Sequence, residues 1–194
     1  MFRNRVAVLS SLADTGAMTR STIHYSFIAS PIGPIMAAVG ERGLVSVNYT
    51  FEDRIPKPVP GWVRNDAALD EVRRQIGEWF AGTRTGFDLA LDFGGNPFQH
   101  AVWNSLLEIP YGETRTYGEI AVSIGEGIAA SRAVGTACGD NPLPLVIPCH
   151  RVVGAGGSLT GFSHGAKGGI GMKRQLLEHE FRIRPPAGTL FALM

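Results

Sequence analysis

Cys149 is followed by His150 and Arg151 and preceded by Pro148, within the run Asn141-Pro-Leu-Pro-Leu-Val-Ile-Pro-Cys-His-Arg-Val-Val153. A free thiol has a pKa of about 8.5, so a nucleophilic cysteine needs a base or a positive field beside it at neutral pH. His150 could supply the first and Arg151 the second. Adjacency does not establish contact, because neighbours on an extended segment point to opposite faces. A small buried cysteine followed by two surface residues is the plainer alternative.

The surrounding sequence must position that thiol. Leu143 to Ile147 has the apolar, partly β-branched character of a short buried segment. Pro148, with no N–H, would end it and present the next side chain at a fixed angle. Upstream, Asn96-Pro97 reads as an N-cap followed by proline at the first helical position. It opens a helix predicted over Phe98 to Ile109, with Phe98, Val102, Leu106 and Ile109 buried, Trp103 in the core and Pro110-Tyr-Gly112 as the stop. Thr116-Tyr-Gly-Glu119 matches a capping box for a short helix, Tyr117 to Ser123. Gly125-Glu-Gly127 separates it from a second helix of about Ala129 to Cys138. The pair has the outline of a helix-turn-helix, whose second member meets DNA, although many helix pairs share that outline. After the Gly154 to Gly157 turn, a final helix places Met172, Leu176 and Leu177 against the core, Lys173 and Arg174 outside, and Glu180 near its end.

The N-terminal half reads as a small sheet with a covering helix. Strands are predicted at Tyr25–Ala29, Ile35–Val39 and Leu44–Tyr49, with a hairpin at Gly40-Glu-Arg-Gly43, and a further strand at Asp88–Phe93. After the proline-rich 56–60 connection, a helix starts near Asp66 and ends around Gly82, with Leu69, Val72, Ile76 and Trp79-Phe80 on one stripe. The fold class is α/β (α+β). Its predicted divisions are a mobile extension over 1–20, a supporting lobe over 21–95, a lobe over 96–184 that carries the candidate thiol and the helix pair, and a tail over 185–194.

Bulk properties limit the function. A net charge of +1 does not itself call for a nucleic acid. DNA binding would depend on placement of helix N-termini and amides, with modest salt dependence. Two cysteines, Cys138 and Cys149, make neither a four-thiolate zinc site nor a disulfide framework, and a free thiol suits a reducing, cytoplasmic interior. Arg3 and Arg5 precede an apolar stretch too short for a signal peptide, Met18 could equally be the start, and no run is long enough to span a membrane.

Pro148-Cys149-His150-Arg151-Val152, with Asn141-Pro142 before it and Leu159-Thr160-Gly161 after it, resembles the active-site signature of the O6-alkylguanine-DNA alkyltransferases, also called methylated-DNA--protein-cysteine methyltransferases. The resemblance is strong from about Phe98 to Glu180 and weaker from about Ile23 to Phe93. It implies an RNase-H-like N-terminal lobe and a mostly helical, winged-helix-like C-terminal lobe. It further implies one irreversible transfer of an alkyl group from O6-alkylguanine to Cys149, without cofactor or metal. His150 would be the base, through a water, with Glu180 orienting it and Asn141 bracing the turn. Tyr117 would crowd the target phosphate and serve the departing oxygen, and Arg132 would enter the minor groove and fill the gap left by the everted nucleotide. Ser131, Ala133 and Gly135 would approach the DNA, while Pro144, Val152, Phe162 and Ser163 would form the pocket. The implied partner is alkylated double-stranded DNA, bound by a monomer. Cooperativity along DNA, O4-alkylthymine as a substrate and the range of alkyl groups stay open.

Several positions depart from the family pattern. Asp140 stands where relatives commonly have a basic or small residue, Phe162 replaces a frequent tyrosine, residues 165–171 form a longer segment, and the turn before Arg132 is one residue longer. Three competing readings are an alkylated-DNA-binding protein without an acceptor cysteine, a helix-turn-helix regulator, and a Cys-His hydrolase. The presence of Cys149 opposes the first, and His150 and Glu180 oppose the second.

Overall fold

Local capping and apolar spacing account for most of the elements in the computed structural model, which describes Ala7–Val8 and residues 22–185. The chain divides into two units, Met1–Gly95 and Asn96–Met194.

The first unit is one mixed sheet with a helix. Its strands are β1 (Ala7–Val8), β2 (His24–Ile28), β3 (Ile35–Gly40), β4 (Gly43–Tyr49), β5 (Val63–Arg64) and, after helix α1 (Asp70–Phe80), β6 (Ala90–Leu91). The order across the sheet is β1-β6-β4-β3-β2-β5. β2, β3 and β4 form the antiparallel meander that their alternating sequence predicts, while β6 runs parallel to β1 and β4. The α1 stripe buries Leu69, Val72, Ile76 and Trp79, all 4% exposed or less. Gln75 is buried with them because its amide exchanges two 2.8 Å hydrogen bonds with the Asp88 backbone. Two expectations are corrected. The strand predicted at Asp88–Phe93 pairs only over Ala90–Leu91, and Ala7–Val8 forms an edge strand rather than part of a mobile extension. The rest of that extension, Met18 included, and the tail from 186 lie outside the described residues.

The second unit is mostly helical: α2 (Pro97–Leu107), α3 (Tyr117–Ser123), α4 (Ser131–Gly139) and α5 (Gly169–Ile183). Both predicted helix starts carry complete capping boxes, Asn96 with Gln99 and Thr116 with Glu119. Each closes two backbone N–H groups that a helix start otherwise leaves open. Trp103 on α2, 2% exposed, donates to the Ala137 carbonyl at 2.8 Å and so fixes α2 against α4. Helices α3 and α4 form the expected pair, joined through a 3-10 turn at Ile128–Ala130. The sequence reading did not anticipate a two-residue parallel ladder, β7 (Arg115–Thr116) with β8 (Val152–Val153). That ladder ties the start of α3 to the segment just after Cys149.

Candidate active site

Cys149 opens a 3-10 turn, Cys149–Arg151, at the end of a buried loop. The Asn141 side chain spans this loop: its Oδ1 accepts from Leu143 N at 3.0 Å and its Nδ2 donates to the Ile147 carbonyl at 2.8 Å. The apolar 143–147 segment is buried as expected, yet it is a tight loop rather than an extended strand, with Ile147 N bonded back to the Leu143 carbonyl at 2.8 Å. Leu145 sits at φ 78, a left-handed conformation that disfavours a branched side chain. The Asn141 bonds and the burial of Leu145 hold it there.

Behind the cysteine lies a fully buried polar cluster. Glu180 Oε1 is 2.7 Å from His150 Nε2, and neither side chain is exposed. The Arg151 guanidinium forks onto the same carboxylate, with Nε 3.0 Å from both oxygens and Nη2 2.9 Å from Oε1. Its Nη1 donates to the Ile109 carbonyl at 2.8 Å, and Gly112 N donates to Glu180 Oε2 at 2.8 Å. Burial pushes the Glu180 carboxyl up, but His150 and Arg151 pull harder and hold it down at about 2. Burial lowers the His150 imidazole below its ordinary value against the opposing pull of Glu180. A neutral ring facing an ionised carboxylate must carry its hydrogen on Nε2, which makes Nδ1 the basic atom. Arg151 therefore directs its charge to Glu180, not to the thiol as its place beside Cys149 suggested.

Cys149 lines a cavity of about 560 Å³. The thiol is 5% exposed, and burial raises its pKa above the ordinary value despite a hydrogen bond from Asn141 and the nearby Lys173 charge. At rest it is a thiol, so an acceptor must remove its proton before it can attack. Lys173 is the largest correction to the sequence reading: predicted outside, it is 0% exposed and lines the same cavity. Its ammonium donates to the Tyr117 hydroxyl at 3.2 Å and to the Thr160 carbonyl at 3.3 Å. Burial depresses its pKa, with the two cysteines opposing. Tyr117 in turn donates to the Thr160 carbonyl at 3.2 Å. Burial first, then the Cys138 charge, pushes the phenol up to about 12.

Phe162 and Ser163, expected in the pocket, line this cavity, and so do Tyr117, Ser131, Arg132 and Gly135, which the sequence reading assigned to DNA and, for Tyr117, to the departing oxygen. Arg132 is exposed. Six other singled-out residues do not line it. Asn141 braces the loop beneath, Ala133 is exposed on α4 outside the cavity lining, and Pro144 and Val152, expected in the pocket, are buried and not among the residues that line it. His150 and Glu180 also lie behind the lining. Cys138, Thr136, His164 and Lys173 line it without having been anticipated. For Lys173 a signal existed: it precedes Glu180 by seven residues on α5, two helical turns, and so shares its face. His164 gave no such signal, because its φ of 54 belongs to an irregular segment.

A sheet-and-helix unit, followed in the chain by a helical unit that buries a Cys, a His and a Glu, defines a class that comparison with known proteins narrows. Residues 23–93 match the ribonuclease-like domain, and residues 97–182 the DNA-binding domain, of 6-O-methylguanine DNA methyltransferase. The chain belongs to that family. It is 48% identical over 143 residues to the methylated-DNA--protein-cysteine methyltransferase of Methanosarcina acetivorans, covering 74% of this chain and 91% of the relative. It is 46% identical over 170 residues to that of Mycobacterium tuberculosis, covering 87% and 99%. A crystal structure of Mycobacterium tuberculosis OGT in complex with DNA superimposes with a TM-score of 0.74 at 45% identity, covering 84% of this chain and 95% of that one.

Proposed function

We propose that this protein repairs DNA by moving the alkyl group of O6-alkylguanine onto its own Cys149, once and irreversibly. The observation that carries this reading is the placement of the Cys149 thiol in a cavity bordered by Arg132 and Tyr117 and backed by the buried His150–Glu180 pair. The family membership and the DNA complex of a relative support DNA as the partner.

A base stacked in a duplex hides its O6 substituent, so the nucleotide must be everted into the cavity. Arg132, exposed on α4, would occupy the vacated place in the duplex, and Tyr117, at the first position of α3, would crowd the phosphate. Ser131, Ala133 and Gly135 on α4 would meet the DNA. Ser163 and Phe162 would border the base.

The Cys149 proton passes through a water to His150 Nδ1, whose ring Glu180 holds in the correct tautomer. The thiolate, which the Lys173 ammonium stabilises, attacks the alkyl carbon. The S–C bond forms as the C–O6 bond breaks. The guanine anion takes a proton from the Tyr117 hydroxyl, the tyrosinate recovers one from solvent, and the imidazolium gives one up. The product is a thioether, which has no hydrolytic exit, so each molecule reacts once.

Incubation with an oligonucleotide containing O6-methylguanine, followed by mass measurement of the peptide bearing position 149, tests this. One methyl per molecule is expected on Cys149, and none in Cys149→Ala. Repeated turnover, or methylation elsewhere, would overturn the reading.

A further inference from the structure

The cavity has two walls. One is α4, through Ser131, Arg132, Gly135, Cys138 and Gly139, and the other is the segment Thr160–Gly165. That segment is held at both ends. At its start Tyr117 and Lys173 bond the Thr160 carbonyl. Near its end His164 Nε2 lies 2.9 Å from Asp140 Oδ1, just past the last turn of α4.

Asp140 is itself anchored: its Oδ2 accepts from Gln99 Nε2 at 3.0 Å. Gln99 is fixed in turn, because its Oε1 accepts from Asn96 N at 3.0 Å in the α2 capping box. The His164 ring rests directly on Gly139, where a Cβ would lie only 2.7 Å from Cε1. Ser163 and His164 are consecutive non-glycine residues at positive φ, 47 and 54. Such a conformation persists only where its surroundings hold it, and it concentrates at ligand sites. The hold on His164 is the chain His164–Asp140–Gln99.

We infer that this clasp determines substrate size: by tying the 160–165 wall to α4 it fixes the width of the slot, and His164 sets an upper limit on the alkyl group. The inference rests on the reading of Cys149 as the alkyl acceptor. A base bearing a methyl enters the slot as it stands, whereas a base bearing a benzyl group requires the wall to retreat, and the clasp opposes that retreat. Asp140, which otherwise sets an acid beside the DNA-facing helix, has its carboxylate engaged on both oxygens.

Oligonucleotides carrying O6-methylguanine or O6-benzylguanine are reacted with the wild-type chain, His164→Gly and Asp140→Ala, and the rate of Cys149 alkylation is followed by mass. Glycine accepts the φ of 54 without strain, so His164→Gly keeps the local backbone. In Asp140→Ala the ratio of the benzyl to the methyl rate is expected to rise about fivefold, the scale of one partly exposed hydrogen-bonded contact. In His164→Gly it rises further. An unchanged ratio in both variants overturns the clasp, as does a parallel fall in both rates, which marks a merely structural role. Absence of methyl transfer by the wild-type chain instead overturns the reading of Cys149, so the two failures are distinct.

Discussion

The two units place their charges differently. In Met1–Gly95 the buried polar side chains among the described residues are Ser26 and Gln75, neither charged, whereas Asn96–Met194 buries His150, Arg151, Lys173 and Glu180. The first unit keeps its ion pairs outside, as in the run of Arg74 with Glu71 and Glu78 on α1. Withdrawing an ion from water costs several kcal/mol even when it finds a partner, and well-packed apolar residues are often as stable. The first unit, as far as its described residues go, does not carry that cost. Three of the four groups buried in the second unit, His150, Arg151 and Glu180, are linked through the Glu180 carboxylate, and the fourth, Lys173, lines the cavity with Cys149.

The contrast breaks most visibly at Glu180. Glu180→Gln leaves Arg151 buried without a counter-charge and is expected to destabilise the protein by about 3–5 kcal/mol in denaturant unfolding. Its pH dependence sharpens the point. The Glu180 carboxyl lies near 2 when folded, against an ordinary 4.5, so its contribution is complete above pH 4.5 and is lost as pH falls toward 2. His150 adds to the decline: depressed below 6.5 in the fold, it favours the folded state above that pH and opposes it below. Glu180→Gln is expected to flatten the lower step of the stability profile; an unaltered profile would detach Glu180 from the acid response.

Lys173→Met probes the same unit more gently, since it removes a buried cation and keeps much of the volume. The transfer rate to Cys149 at neutral pH is expected to fall about tenfold, and the rate–pH curve to move to the alkaline side, because the thiolate loses its attracting charge. A rate curve that stays in place would show Lys173 to be structural. Smallest of all, Arg74→Ala on the first unit should leave both the transfer rate and the denaturation midpoint unchanged, because its partners are solvated. A clear loss there would erase the distinction between the units.

Much of this arrangement is legible in the sequence wherever the cause is local. Asn96-Pro97 and Thr116 with Glu119 announce their helices because a cap acts within four residues. The meander is legible because alternation is a neighbour property. The β7–β8 ladder is not: it joins Thr116 to Val153, and two residues on each side carry no periodicity. The site divides in the same way. Cys149, His150 and Glu180 follow from the motif and the resemblance. Lys173 does not, because a lysine on an amphipathic helix is ordinarily a solvated residue, and the Tyr117, Thr160 and Gly161 oxygens reverse that rule here. Leu145 and His164 adopt backbone conformations that their residue types disfavour, so their sequence points away from what they do.

Glu180 gathers His150, Arg151 and the amide of Gly112 onto one carboxylate, yet it follows all of them in the chain. On the ribosome, Cys149 and its neighbouring imidazole therefore emerge before the group that orients them. Until α5 folds back, a nascent chain holds the Cys149 sulfur without the carboxylate that His150, Arg151 and Gly112 share.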